Sequence, residues 1–260
     1  KYITLITVFS RILIMFLIFI FKNKKDDYIL VPIFYSISSI ISGIFALYIL
    51  IFKEKIIFRI QSFKKIKYYM ADSFVFFLST GFVVIKEQTN SLIIGSYLGF
   101  QEVTYYDYLR KIIELSKQPF LIIRDAIFPN IIQNNDLNKL KKIGLLLFIL
   151  SILFYFILLY AIKDITILIG NDSLLEAVPL FNIMGLNINL TVLSVFLGIY
   201  LIVKNKQKYF MRSLIISTLI FITIVLLLVI SKNVNIQNLI VTYTFSLFIE
   251  TVFRYYYSKK

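Results

Sequence analysis

Apolar runs of about twenty residues recur along the whole chain, separated by short connections rich in Lys, and this repetition constrains the fold more than any motif does. A hydrocarbon layer about 30 Å thick offers no water to backbone N–H and C=O groups, so only helices and closed barrels satisfy them inside it. The runs are rich in Ile, Leu and Phe and lack the period-two alternation of a barrel strand, which makes the chain an all-α, polytopic helical membrane bundle. Eight transmembrane helices are expected, at residues 2–21, 28–52, 67–98, 102–131, 143–163, 174–203, 209–230 and 236–257. Hydrophobic residues make up 59% of the 260, too many for an ordinary soluble domain. Cys, His and Trp are absent, which removes disulfides, thiol and imidazole chemistry and the usual zinc ligands. No metal site and no cofactor is expected. The opening KYITLITVFSRILIMF has neither an initiating Met nor a cleavable signal pattern, so the sequence reads as one that begins in mid-protein.

Basic residues orient such a bundle, because cytoplasmic connections carry the Lys/Arg excess. Lys53, Lys55, Arg59, Lys64, Lys65 and Lys67 lie between the second and third helices, and Lys139, Lys141 and Lys142 follow the fourth. Lys204, Lys206, Lys208 and Arg212 surround the turn after the sixth, and Arg254, Lys259 and Lys260 close the chain. These alternate connections hold sixteen basic residues, against five on the opposite side: Lys22, Lys24, Lys25, Lys163 and Lys232. Both ends are therefore expected in the cytoplasm. The formal charge of +14 reflects this asymmetry and contact with anionic membrane lipids, and nucleic acid is not an expected partner.

Polar residues inside the helices are the candidate site. In the third helix Asp72, Ser79, Lys86 and Asn90 follow one another at spacings of 7, 7 and 4, which puts them within about 40° on a helical wheel. An ammonium in that stripe belongs in the bundle interior or a watery cavity. The competing reading ends the helix at Ile85 and makes KEQTN, residues 86–90, an external loop leading to a re-entrant segment. Glu87, about 100° round from Lys86, is the member least expected in the lumen. The fourth helix carries Asp107, Arg110, Lys111, Glu114, Lys117, Arg124 and Asp125 within an arc of roughly 140°. That face either lines a cavity, lies on the membrane surface, or is partly consumed by pairs such as Arg110–Glu114 and Glu114–Lys117. Pro119 is a kink and hinge candidate, and Pro129 is expected to end the helix. Arg11, about ten residues into the first helix, either lines a cavity or snorkels to the interface. Gly95 and Gly99, four apart, would allow a close helix contact.

Two stretches go beyond generic membrane character: QTNSLIIGSYLGFQEVTYYDYLRKIIEL, residues 88–115, and QPFLIIRDAIFPNI, residues 118–131. They resemble the seventh and eighth helices of the polysaccharide flippases, the O-antigen and capsule repeat-unit exporters of the multidrug/oligosaccharidyl-lipid/polysaccharide exporter superfamily. The matching positions are Asn90, Gly95, Gly99, Tyr106, Lys111 with Ile112, and Phe128 with Pro129. Asn90 stands where the family more often has Asp, and Thr104 where it has Gly. More loosely, residues 25–49 resemble the family's fifth-to-sixth helix region and residues 168–202 the approach to and body of its tenth helix. The resemblance implies a fragment running from helix five to helix twelve of a twelve-helix, two-lobed transporter. Residues 1–52 would be the last two helices of the N-terminal lobe, 53–66 a basic cytoplasmic inter-lobe linker, and 67–260 the six-helix C-terminal lobe.

It further implies a multi-pass protein of the bacterial cytoplasmic membrane that flips oligosaccharide units, carried on polyprenyl pyrophosphate, for O-antigen, lipopolysaccharide or capsule assembly. Other polysaccharide-assembly membrane proteins are implied partners. Lys86, Arg110, Lys111, Lys117 and Arg124 would meet the pyrophosphate, tempered by Asp107, Glu114 and Asp125. Gln88, Thr89, Asn90, Tyr105, Tyr106 and Tyr108 would meet sugar hydroxyls. No enzyme activity is expected. A cation-coupled multidrug exporter of the same superfamily is disfavoured by the basic excess, and a membrane glycosyltransferase or polymerase by connections of only about fifteen residues. A purely structural subunit is the remaining alternative.

Overall fold

The computed structural model describes residues 2–21, 30–55, 61–134, 136–169 and 172–260, all helices, turns and connections. The side chains of Arg11 and Asp72 lie outside the described residues, as do the loop positions Lys22, Lys24, Lys25 and Arg59. The chain divides into two compact units, residues 1–67 and 68–260.

The smaller unit holds α1 (Tyr2–Phe21) and α2 (Leu30–Tyr48), which runs into one π-helical turn at Ile49–Lys53. Pro32 falls in the first turn of α2, where its missing N–H costs no helical hydrogen bond. The two helices meet through polar contacts at small residues. The Ser38 hydroxyl donates to the Ser10 carbonyl at 2.9 Å, and the Phe9 and Phe45 rings lie 6.4 Å apart.

The larger unit takes most of α3 (Phe63–Tyr97), then α4 (Phe100–Asn134), α5 (Leu137–Leu168), α6 (Phe181–Met184), α7 (Leu186–Val203), α8 (Gln207–Ile230) and α9 (Ile236–Lys259). α3 runs unbroken through KEQTN, so the loop reading of that pentapeptide falls. The helix stops at Gly99, whose φ of +101° only glycine adopts without strain; the Leu98 and Gly99 N–H groups both donate to the Ile94 carbonyl. Gly99 is thus a turn residue and not half of a helix-contact pair. Gly95 does serve a close approach, since a Cβ there would sit 3.3 Å from Val103 Cγ2 on α4. α4 continues past Pro129 to Asn134, contrary to the expected stop. A proline removes one hydrogen bond to the preceding turn and leaves the following N–H groups free to continue the helix. Pro119 likewise sits inside continuous helix and is itself exposed.

α5 begins earlier than its apolar run because the Asp136 carboxylate accepts the Lys139 N–H at 2.9 Å and caps it. The sixth expected helix is divided: a 3₁₀ segment at Asp172–Leu180 carries Pro179, and α6 and α7 are separated at Gly185. A Cβ on Gly185 would lie 2.7 Å from Tyr155 Cε2 and 2.8 Å from the Phe181 carbonyl, so this bend depends on the absent side chain. The Tyr155 hydroxyl holds it by donating to the Asn182 carbonyl at 2.7 Å.

The core of the larger unit gathers around Ile94, Leu109, Phe181, Ile188, Phe221 and Leu239, all fully buried. Outward faces are as apolar as the core: Leu146, Ile149, Leu153, Phe156, Ile157 and Tyr160 of α5 are all exposed. A helix apolar on every side is suited to lipid. Five stretches among the described residues are long and apolar enough to cross a membrane: Leu30–Lys53, Leu137–Leu168, Asp172–Val203, Gln207–Ile230 and Ile236–Lys259. The protein is an all-α polytopic membrane bundle.

Candidate functional site: a charge centre in the wall of a cavity

The inward stripe of α3 supplies the first component. Ser79, Lys86 and Asn90 are all buried, Lys86 to 1% exposure. An ammonium so enclosed needs an anion, and α9 provides it: Lys86 Nζ donates to Glu250 Oε2 at 2.8 Å and to Ser217 Oγ of α8 at 3.2 Å. The other oxygen, Glu250 Oε1, takes Arg254 Nη2 at 2.8 Å and accepts the Ser194 hydroxyl of α7 at 3.1 Å. Arg254 Nη1 donates to the Ser194 carbonyl and hydroxyl, both at 2.8 Å, and Nε to Ser213 Oγ at 3.3 Å. Its guanidinium lies 4.5 Å from the centre of the Phe210 ring. Gly198 makes the approach possible, because a Cβ there would stand 2.9 Å from Phe210 Cε2 and 3.2 Å from Arg254 Nη1. One carboxylate is thus shared by two cations, joining α3, α7, α8 and α9 within the larger unit.

This centre forms part of the wall of a cavity of about 530 Å³ among α3, α4, α7, α8 and α9. Lys86, Lys117, Arg124 and Arg254 line it against Glu87, Asp125 and Glu250, a surplus of one positive charge. Apolar side chains such as Val83, Leu121, Val195, Ile199 and Leu247 cover the rest. α4, α7 and α8 contribute mostly the halves nearer the basic connections at Lys139–Lys142 and Lys204–Lys208, α9 contributes Tyr243 to Arg254 on both sides of its middle, and α3 contributes Ser79 to Glu87, from its middle away from its basic end. A second, much smaller void of about 20 Å³ lies beside Tyr106, Arg110, Glu114 and Asn187, and Glu87, Lys117 and Tyr243 border both spaces.

The α4 charges divide. Lys117 and Arg124 reach the large cavity; Lys117 makes no ion pair within 4.0 Å among the described residues, whereas Arg124 is held by Asp125 at 2.7 Å. Arg110 is placed between Asp107, at 3.3 Å, and Glu114, at 3.6 Å, along its own helix and borders only the small void. Lys111 is exposed and lines neither space, so it is no cavity residue in this structure. Glu87, least expected in the lumen, borders both spaces. Gln88 and Thr89 border neither. The tyrosines assigned to sugar are used between helices: Asn90 Nδ2 donates to Tyr106 Oη at 3.3 Å, Tyr105 Oη donates to Glu176 at 2.6 Å, and Tyr108 Oη pairs with Thr166 Oγ1 at 2.6 Å. Asn90 Oδ1 is buried without a hydrogen-bond partner.

Sequence reasoning missed Glu250, Ser194, Ser213 and Ser217, and it placed Arg254 among the loop cations that close the chain. Arg254 is buried, which leaves fifteen basic residues against five in the alternate connections. A signal was present: Glu250 is the lone carboxylate of α9, it lies deep in an apolar stretch, and Arg254 follows at i+4.

The larger unit thus joins an ion-paired centre to a cavity within a polytopic helical bundle. Residues 1–135 match the family model described as Polysaccharide biosynthesis protein, and the chain belongs to that family. It is similar to the "Putative O-antigen transporter" of Escherichia coli (strain K12), 28% identical over 146 residues that cover 56% of this chain. The aligned region spans 35% of that relative's own length. No solved structure matches the chain. The family match includes Lys86 and all of the charged face of α4; Ser194, Ser217, Glu250 and Arg254 lie beyond it.

Proposed function

We propose that this chain forms part of a transporter that moves oligosaccharide units linked to polyprenyl pyrophosphate to the outer leaflet of the bacterial cytoplasmic membrane, for surface polysaccharide such as O-antigen or capsule. In this reading residues 67–260 form the C-terminal lobe, 53–66 a cytoplasmic linker, and α1 and α2 the last two helices of the N-terminal lobe, with both chain ends cytoplasmic. The cavity carries the argument. Four cations facing three anions leave positive charge in an otherwise apolar enclosure, and a pyrophosphate headgroup supplies the missing anion while its prenyl chain suits the apolar wall. α4, α7 and α8 open the cavity mostly from their halves nearer the basic connections, which is the leaflet where a lipid-linked sugar would be loaded if those connections are cytoplasmic, and α3 carries it on past the middle of the bundle. No step breaks a covalent bond, so no catalytic group is assigned.

In cells lacking their own flippase, the full-length protein is expected to restore surface polysaccharide. Lys117→Gln with Arg124→Gln should abolish that export at unchanged protein abundance. Full export by the double variant would overturn the cationic-cavity reading, and failure of the unaltered protein across several polysaccharide hosts would overturn the transport reading.

A further inference from the structure

Two cations share one carboxylate in the charge centre, and they are held unequally. Arg254 is fastened by Ser194, Ser213 and Glu250 and wedged against Phe210 over Gly198. Lys86 has three ammonium protons, of which Glu250 and Ser217 take two among the described residues, and its flexible stem reaches into the cavity wall. If Lys86 leaves, Glu250 keeps Arg254 at 2.8 Å and remains neutralised. If Arg254 leaves, three hydrogen bonds, an ion pair and a ring contact are lost. Lys86 is therefore the releasable cation.

We propose that Glu250 is a resident counter-anion: it holds Lys86 while the cavity is empty and yields it to a phosphate group that enters. This inference rests on the reading of the cavity as an anion-carrying site. It explains why a carboxylate stands in a space suited to anions. Without Glu250 the empty cavity would hold two unpaired buried cations, which is costly; with it, an entering phosphate trades one anion partner for another, and Glu250 returns to Lys86 as the phosphate departs. Glu250 thus lowers affinity and speeds release. A merely structural ion pair predicts the opposite, since disturbing it would loosen the cavity and weaken binding.

Inorganic pyrophosphate binding to the full-length protein in lipid nanodiscs, measured by titration calorimetry, separates the two. Glu250→Gln, which keeps the shape and one acceptor oxygen, should bind about tenfold more tightly than the unaltered protein and release more slowly. Glu250→Asp, which retains the charge but withdraws it by a methylene, should tighten binding several-fold, and Lys86→Gln should weaken it about tenfold or more. Unchanged or weaker binding in whichever of the Gln and Asp variants fold overturns the proposal, as does no binding by any form. Export tests the other reading separately: the expected binding order without export leaves the resident-anion role standing and removes the transport reading. Export with the wrong binding order removes only the resident anion.

Discussion

The charge centre at Lys86 and the charged face of α4 use the same residue types in opposite ways. Along α4, Asp107, Arg110 and Glu114 form loose ion pairs of 3.3 and 3.6 Å within a single helix at i,i+3 and i,i+4, with the Glu114 side chain 51% exposed. At the centre, Lys86 and Glu250 are 164 residues apart and almost wholly enclosed. The first arrangement adds tenths of a kcal/mol to a helix that would form without it, about 0.3–0.5 kcal/mol per pair. The second fixes which helices are neighbours, because none of its members could be buried alone. Numerous charges on one face are therefore a weaker guide to a buried charge centre than one lysine and one glutamate on separate apolar helices.

The largest expected effect comes from removing the shared anion altogether. Glu250→Leu would leave Lys86 and Arg254 enclosed without a counter-charge and should lower stability by about 3–5 kcal/mol, measured by reversible unfolding of the full-length protein in mixed micelles. Loss below about 1 kcal/mol would show that water enters the centre freely. Next is Gly198→Ala, whose Cβ would meet Phe210 at 2.9 Å and Arg254 at 3.2 Å. Overpacking of that kind costs about 1–3 kcal/mol. Pairing it with Phe210→Leu should recover part of the loss if the contact with the ring is the cause. Asn90→Ala follows at about 0.5–1.5 kcal/mol, because it removes the two long bonds to Tyr106 and the Leu239 carbonyl. Tyr106→Phe should cost no more than that and should not add to it, which a double-mutant cycle would register.

The spans were legible because lipid imposes a length and a composition on each of them. Helix is found in each of the eight expected stretches, five of which are long and apolar enough to cross a membrane among the described residues, with differences where local chemistry overrides hydropathy: the Asp136 cap lengthens α5, and Pro179 and Gly185 break the sixth stretch. The stripe of Ser79, Lys86 and Asn90 was legible too, since a helix fixes which residues share a face. Its partner was not, because spacing along one helix says nothing about which distant helix will lie opposite. Arg254 was misplaced for a related reason: six residues from the chain end, it looks like a terminal interface charge, and only the Ser194 and Ser213 contacts of α7 and α8 reveal it as interior. The α4 arc also over-reached. An arc of about 140° is wide enough to place Lys111 on lipid or solvent while Lys117 and Arg124 face the cavity.

The smallest predicted effect is the one that most sharpens the contrast between the two regions. Lys111→Gln removes a cation expected from sequence in the cavity, yet its side chain is exposed and lies outside both spaces. Its stability change should stay within about 0.5 kcal/mol, and export by the full-length protein should remain near the unaltered level. Arg110→Gln, which breaks two ion contacts of 3.3 and 3.6 Å, should cost no more than about 1 kcal/mol. Lys117→Gln, six residues further along the same helix, borders both spaces without an ion partner among the described residues and should reduce export with little loss of stability. Equal loss of export in the Lys111 and Lys117 variants would mean that charge on α4 acts through the membrane surface rather than the cavity, and the distinction between its two faces would go.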